Sequence, residues 1–112
     1  MKLRHAAALA LVGWYIMTPP LNGEPDPSMP ISRWYVLKER KEINVQGSPE
    51  YVVVLKSEQE CKQKLSEELA LRKTIFANGG CTVCIHIFEN ARCISSDNPQ
   101  FDPVRSGAVP SN

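Results

Sequence analysis

The sequence predicts a small α+β domain, built from an antiparallel β-hairpin, one long helix and a closing strand, and stapled by disulfides. Three observations lead to this prediction. Residues 51–55 have the composition of a strand, residues 58–77 carry a capped helical pattern, and all four cysteines lie between Cys61 and Cys93. The core of a domain as short as residues 31–96 supplies only about 3–5 kcal/mol of stability, so covalent staples are expected.

The predicted hairpin joins two β-favouring segments across a turn. Residues 34–37 begin the first segment, and Ile43 and Val45 extend its alternation of apolar and polar side chains. The sequence Gln-Gly-Ser-Pro at 46–49 is typical of a turn. The sequence Tyr-Val-Val-Val-Leu at 51–55 gives the strongest strand signal of the chain. We expect these two segments to pair antiparallel.

The helix is predicted from its start, its apolar stripe and its end. Ser57 and Glu60 have the spacing of a capping box, and Asn-Gly-Gly at 78–80 is a helix stop. Side chains at spacings of three and four residues form one stripe, which is apolar except for an arginine: Cys61, Leu65, Leu69, Arg72 and Phe76. Acid-before-base pairs one turn apart predict a solvated opposite face: Glu58–Lys62, Glu60–Lys64 and Glu68–Arg72.

The chain after the helix is predicted to return as strand and then as a tail. Residues 81–88 are rich in β-favouring residues that alternate between two faces, which predicts a strand. Residues 91–94 continue that strand or form a short closing strand. Asp-Asn-Pro at 97–99 is turn chemistry, and the small residues and prolines beyond it predict a flexible tail over 97–112.

The first 23 residues predict a signal peptide or a short N-terminal membrane anchor. Lys2 and Arg4 precede an uncharged, mostly apolar run at 6–17, which Thr-Pro-Pro ends. A spanning helix needs about 20 apolar residues, and the segment 6–21 is shorter. A Pro-rich linker follows at 24–30. We therefore expect an exported protein, periplasmic or in the cell envelope, anchored to the inner membrane by residues 6–21 if the leader is not cleaved.

The charge balance argues against a nucleic-acid partner. The chain has 13 Lys and Arg against 12 Asp and Glu, so it lacks the excess of basic residues that phosphate binding requires. An unknown protein partner is the expected kind of partner, and a membrane is contacted only through an uncleaved N-terminal segment. With His5 in the leader, His86 is the one remaining histidine, and no set of catalytic residues is visible. We predict no catalytic residue, no metal and no cofactor.

The four cysteines allow three disulfide connectivities, and other chemistries compete with them. Cys81-x-x-Cys84 has the spacing of a thiol–disulfide redox motif, but such motifs open a helix, whereas this one is expected to follow a helix and enter a strand. A zinc site could use the four thiols, or three of them with His86 in place of Cys93. Only one C-x-x-C is present, however, whereas a zinc ribbon needs two. An 81–84 disulfide fits a turn better than a regular strand.

Several segments together resemble a group of small exported bacterial proteins without an established activity. They are GWYIMTPP at 13–20, ISRW at 31–34, SEQEC at 57–61 and ARCISSDNP at 91–99, in all about a quarter of the chain. In that group the cysteine at the helix start pairs with the late cysteine, which implies a Cys61–Cys93 disulfide here. The Cys81–Cys84 segment is a departure from the group.

The function predicted from the sequence is a non-enzymatic role in protein interaction or envelope structure, fulfilled by an exported domain. A thiol–disulfide or redox-sensing module that uses Cys81 and Cys84 is the first alternative. A small zinc-binding module is the second. By closing this loop, a Cys61–Cys93 bridge would add roughly 3–4 kcal/mol to the free energy of unfolding. That contribution is comparable with the whole stability expected of the core.

Overall fold

The computed structural model describes residues 13–42 and 46–109, and it has the α+β architecture predicted from the sequence. Within those residues the elements are, in chain order, β1 Trp14–Thr18, β2 Leu21–Asn22, β3 Glu24–Pro25, a 3-10 turn at Ile31–Arg33, β4 Tyr35–Val36, β5 Lys38–Arg40, β6 Glu50–Val52, α1 Glu58–Ile75, α2 Thr82–Glu89 and β7 Arg92–Ser95.

β1 is the middle strand of a three-stranded antiparallel sheet with the order β4–β1–β7. Tyr15 pairs with Ile94 on one side, and Met17 pairs with Val36 on the other. Tyr15, Ile16 and Met17 have no exposed surface. Because neighbouring side chains of a strand point to opposite faces, β1 contributes to the core on both sides of the sheet.

Two apolar clusters cover the two faces of this sheet. The first contains Tyr15, Met17, Trp34, Val36, Ile94 and Ala108. The second contains Ile16, Leu37, Val53, Cys61 and Phe88, with Leu65 and Leu69 of α1 packed against them. The predicted stripe is confirmed for Cys61, Leu65 and Leu69, which attach α1 to the second face, whereas Phe76 follows the helix as its C-cap and lies outside both clusters. Ser57 caps the helix as predicted, because its side chain accepts a hydrogen bond from the N–H of Glu60 at 3.1 Å.

The predicted hairpin is present in a shorter form. β5 pairs antiparallel with β6 in the register that places Glu39 opposite Tyr51. The strand signal at 51–55 splits after Val52, because Leu55 leaves the hairpin and bridges to Trp14 of β1. Ile43 and Val45, which were expected to extend the first strand, lie outside the described residues.

The strand predicted over 81–88 is wrong, because Thr82–Glu89 is the helix α2. The Cys81–Cys84 disulfide excludes a strand here on distance alone. Its Cα atoms are 5.3 Å apart, whereas an extended chain separates residues three positions apart by about 10 Å. The closing strand expected at 91–94 is present as β7.

The segment predicted to end the leader contains a strand of the fold. Trp14–Thr18, taken as the end of a leader, is the buried strand β1. A strand buried on both faces is apolar along its length, so its sequence resembles the core of a signal peptide. In the folded domain this strand belongs to the core, and the signal peptide or anchor expected over 1–23 stays a prediction. Residues 1–12 lie outside the described residues.

The predicted linker and tail are both parts of the folded domain. In the segment 24–30, β3 pairs with β2, and the carbonyl of Met29 accepts a hydrogen bond from Trp34 Nε1 at 2.9 Å. In the segment 97–109, the Phe101 ring stacks on Tyr15 with centroids 4.9 Å apart. Ser106, which is 2% exposed, accepts a hydrogen bond at its carbonyl from the N–H of Val36 at 3.1 Å.

Within the described residues, neither helix is both long and apolar enough to cross a bilayer.

Candidate functional site

The Cys81–Cys84 disulfide lies at the amino-terminal end of α2. Cys81 is the residue that caps the helix, and its Sγ accepts a hydrogen bond from the backbone N–H of Cys84 at 3.2 Å. Both cysteines are partly exposed. The free N–H groups of a first helical turn carry partial positive charge, and a cysteine sulfur at this position is stabilised as a thiolate when the disulfide opens. The sequence prediction, which placed the motif at the start of a strand, missed this arrangement.

The Cys61–Cys93 disulfide has a different environment. It joins the first turn of α1 to β7 across a sequence separation of 32, with Cα atoms 5.9 Å apart. Cys61 has no exposed surface and belongs to the second apolar cluster, and Cys93 packs against the same cluster. Cys61 is closed to solvent, whereas Cys93 keeps part of its surface exposed. Both cysteine pairs named from the sequence are thus formed, and the chain has no free cysteine.

A groove adjoins the Cys81–Cys84 disulfide. It lies between the β5–β6 hairpin and the two helices, and its volume is about 710 Å³. Cys84 lines it together with apolar side chains of α1 and α2 and with charged residues of the hairpin. The lining residues are Lys38, Glu39, Arg40, Lys41, Tyr51, Glu68, Leu71, Arg72, Ile75, Phe76, Cys84, Ile87 and Phe88.

An ion-pair network forms one wall of the groove. Glu68, which is 7% exposed, binds Lys64 Nζ at 3.2 Å and Arg72 Nη1 at 2.6 Å. Lys64 also binds Glu39 of β5 at 3.1 Å. The guanidinium carbon of Arg72 lies 3.7 Å from the centroid of the Phe88 ring of α2, a cation–π contact. The network therefore connects the hairpin, α1 and α2.

This network differs from the solvated helix face that the sequence predicted. Of the predicted pairs, Glu58–Lys62 is present at 3.4 Å and is exposed, as expected. The Glu68–Arg72 pair is present but largely buried. Lys64 binds Glu39 and Glu68, and Glu60 instead accepts a hydrogen bond from the N–H of Lys56.

The environment of Lys64 raises its pKa above the ordinary value. Burial acts to lower the pKa of this ammonium group, but hydrogen bonds and charge attraction from Glu39 and Glu68 outweigh the burial. Lys64 therefore carries its charge throughout the physiological pH range. Its ion pairs with Glu39 and Glu68 persist over the same range.

His86, considered from the sequence as a zinc ligand, binds Glu24 instead. Its Nδ1 lies 2.6 Å from Glu24 Oε1, which joins α2 to β3. All four cysteine sulfurs are in disulfides, so none is available as a thiolate ligand. The part of the chain that the structure describes contains no group of three or more His, Cys, Asp or Glu residues that could hold a metal ion.

Two groove residues were not singled out from the sequence. Leu71 and Ile75 are 51% and 59% exposed, one helical turn apart on α1. They lie off the stripe that packs on the sheet, so a search for a single apolar face passes over them. A second apolar pair at a four-residue spacing, beside the first stripe, is the signal that would have identified them.

Comparison with known proteins identifies no relative of this chain. No protein-family model, no curated protein and no solved structure matches it. The resemblance to small exported proteins therefore stays a prediction, and the functional interpretation depends on the geometry of the two disulfides and the groove.

Proposed function

We propose that this protein is an exported thiol–disulfide exchange domain, in which Cys81 and Cys84 react and Cys61–Cys93 holds the fold. The observation that carries the proposal is the position of Cys81 as the cap of α2, with its Sγ accepting the N–H of Cys84 at 3.2 Å. The sequence argued against exchange because the motif was expected to enter a strand. That objection no longer applies.

In the proposed reaction the chain is the oxidant, and a protein with two reduced cysteines is the reductant. A substrate thiolate attacks Cys81 Sγ, a mixed disulfide forms, the Cys81–Cys84 bond breaks and Cys84 leaves as a thiolate. The second substrate thiolate attacks the substrate sulfur of the mixed disulfide, and Cys81 leaves as a thiolate. One disulfide passes to the substrate, while two electrons and two protons pass to the cysteine pair.

The direction of exchange follows from the stabilisation of the Cys81 sulfur. The helix amino terminus and the Cys84 N–H stabilise a thiolate at Cys81, and so they stabilise the reduced form of the pair. A pair whose reduced form is stabilised is the stronger oxidant. We therefore assign disulfide donation, and not reduction of substrate disulfides, as the favoured direction.

A trapping experiment tests the assignment of roles. In Cys84→Ser the free Cys81 thiolate should attack a one-cysteine peptide activated as a mixed disulfide with thiopyridine, release thiopyridone and stay in the mixed disulfide, because neither Cys84 nor a second peptide thiol is present to resolve it. The matched variant Cys81→Ser should trap far less peptide, since Cys84 is not the cap of the helix. Mass spectrometry of the adduct is the measurement. Equal trapping by the two variants, or trapping by neither, would refute the proposal.

Export is a second part of the proposal, and two disulfides support it because disulfides persist in oxidising compartments. An export signal compatible with the fold must lie before residue 13, since cleavage after residue 23 would remove β1. Fractionation of the native cells and N-terminal sequencing test this. We expect an extracytoplasmic protein that retains Trp14. A cytosolic protein with four reduced thiols would contradict export.

The groove favours a second candidate function, the non-enzymatic interaction or envelope-structural role predicted from the sequence. In that case Cys81–Cys84 only fixes the first turn of α2. The double variant Cys81→Ser/Cys84→Ser distinguishes the two candidates in a strain that lacks the protein. If this variant restores the wild-type phenotype of the strain, the interaction role is favoured. If the variant folds stably but does not restore the phenotype, exchange is favoured.

A further inference from the structure

Two glycines precede Cys81, and the backbone conformation explains only the first. Gly79 has a φ of +84°, in the left-handed region that favours glycine, and its N–H donates to the carbonyl of Phe76 at 3.0 Å as the chain leaves α1. The φ of Gly80 lies outside that region. Backbone conformation therefore accounts for a glycine at position 79 and not for one at position 80.

Steric crowding does not require a glycine at position 80 either. Apart from the adjacent residues, a Cβ atom added there would meet one atom within 4 Å, Cδ1 of Phe76 at 3.7 Å, which is an ordinary van der Waals distance. A Cβ atom at Gly79 would meet none. Both glycines are exposed. Alanine would therefore fit position 80 without a shift of its surroundings.

Glycine at position 80 lowers the stability of the fold. Replacing a glycine by alanine at a compatible position removes freedom from the unfolded chain and stabilises the folded state. Position 80 also directly precedes the N-cap of α2, where an apolar side chain commonly packs against the fourth helical residue. That residue is Ile85, which is partly exposed and belongs to neither apolar cluster. An apolar side chain at position 80 would cover Ile85, and glycine forgoes this contact.

We infer that Gly80 is a specificity-determining residue of the exchange domain, which keeps the approach to Cys81 Sγ open for the main chain of a polypeptide substrate. The inference rests on the proposed function, since it assigns the class of substrate that reacts with the same cysteine pair. Natural proteins give up stability mainly at functional sites, and Gly80 is adjacent to the sulfur that the substrate attacks.

The size of the substrate is what a glycine at this position selects. Consecutive Cα atoms are about 3.8 Å apart, so a side chain at position 80 would project close to Cys81. A small thiol can pass such a side chain, whereas a cysteine within a polypeptide brings main chain on both sides of its sulfur. Glycine permits the close approach of another backbone. A polypeptide substrate therefore explains the stability lost at Gly80, and a small thiol does not.

The test compares two reagents with the same leaving group, in the full chain that carries Cys84→Ser. One reagent is the thiopyridine mixed disulfide of N-acetylcysteine amide. The other is the thiopyridine mixed disulfide of a short blocked peptide with a single central cysteine. The Cys81 thiolate attacks the cysteine sulfur of either reagent, a mixed disulfide forms and thiopyridone leaves. The absorbance of thiopyridone gives both rate constants.

The expected effect of a side chain at position 80 depends on the reagent. Gly80→Leu should lower the rate constant of the peptide reagent by about tenfold or more and that of the small reagent by less than about twofold, because it misplaces only the longer partner. Ser66→Leu adds the same side chain at an exposed site in the middle of α1, outside the groove, and should change neither rate constant. A change in the thiolate fraction of Cys81 would alter both rate constants together, so their ratio isolates access.

Two results would overturn the inference. The first is a ratio of rate constants that Gly80→Leu leaves unchanged. The second concerns stability, measured by urea unfolding of Gly80→Ala and Gly80→Leu with Cys84 in place. We expect both midpoints to rise. A midpoint that falls in Gly80→Ala would show that the fold itself requires this glycine.

The outcomes separate this inference from the proposed function. If Gly80→Leu changes the ratio of rate constants while Cys84→Ser and Cys81→Ser trap equal amounts of peptide, the role of Gly80 in access stands and the exchange function fails. If Cys84→Ser traps far more peptide than Cys81→Ser and Gly80→Leu leaves the ratio unchanged, the role of Gly80 fails alone.

Discussion

The side chain of Cys61 is fully buried where it bonds to Cys93, whereas the Cys81–Cys84 pair is partly exposed and closes only one helical turn. The sequence separations of the two pairs are 32 and 3. A disulfide restricts the unfolded chain more when it closes a longer loop. The two bonds therefore contribute unequally to stability, and Cys61 is the one sulfur of the four that is closed to other thiols.

Removal of Cys61–Cys93 should cost about twice as much stability as removal of Cys81–Cys84. The chain-entropy relation gives about 4 kcal/mol for the Cys61–Cys93 loop and about 2 kcal/mol for the Cys81–Cys84 loop. Urea unfolding of Cys61→Ala/Cys93→Ala and of Cys81→Ser/Cys84→Ser measures both. A larger loss in the Cys81/Cys84 variant would contradict the assignment of Cys61–Cys93 as the structural bond.

Truncation of Ile16 should destabilise the fold strongly, because β1 is part of the core. Ile16 has no exposed surface and packs in the second apolar cluster. Ile16→Ala should lower the free energy of unfolding by about 2–5 kcal/mol, the range for large-to-small changes in a core. Leu21→Ala, at a 55% exposed site in β2, is the matched control and should change it by about 0.5 kcal/mol or less. Equal effects of the two would show that β1 is not in the core.

Loss of the Glu68 charge should weaken the contact between α1 and α2. Glu68→Gln leaves Lys64 and Arg72 without their shared carboxylate, and Arg72 is then less well held over Phe88. Both cations keep some contact with water, so we expect a loss of about 1–2 kcal/mol, below that of a fully buried pair. Glu67→Gln, exposed and one position away, should have almost no effect. Unfolding midpoints that do not distinguish the two variants would contradict the network.

Stability should fall at alkaline pH through Lys64 and Tyr15. Burial acts to lower the pKa of Lys64, but hydrogen bonds to Glu39 and Glu68 outweigh it and raise that pKa, and burial raises the pKa of Tyr15. The folded state holds both protons more tightly than the unfolded state. This stabilisation is complete below the ordinary pKa values and is lost as the pH rises through about 10 to 11.

The urea midpoint, followed from about pH 8 to about pH 11, measures this dependence. Lys64→Met and Tyr15→Phe should each flatten the fall, whereas Lys62→Met, at an exposed ion pair, should keep it. A midpoint that rises with pH over this range, or variants with the wild-type slope, would contradict the assignment.

The sequence predicted the elements whose signals are local and repeated. α1 was predicted to within two residues, because Ser57 caps it and its stripe recurs over about four turns. The hairpin was predicted because its turn chemistry separates two β-favouring segments. Both predictions depend on neighbours in the chain, which sequence patterns report well.

Long-range contacts account for the two main errors. β1 is apolar because sheet neighbours and two clusters cover it, and this pattern is shared with an export signal. α2 has the β-branched composition of a strand, but the Cys81–Cys84 bond and packing on α1 impose a helix. Assuming this disulfide at the outset would have excluded the strand by distance. The groove could not be predicted, because it depends on where α1 meets the hairpin.

The reduction of the two disulfides in glutathione buffers tests the central claim most directly. The oxidised full chain is equilibrated over a series of glutathione potentials, quenched by alkylation and analysed by mass spectrometry for each cysteine. We expect Cys81–Cys84 to open in mildly reducing buffer while Cys61–Cys93 stays closed in the same molecules. If Cys81–Cys84 resists reduction as strongly as Cys61–Cys93, both bonds are structural and the exchange function is excluded.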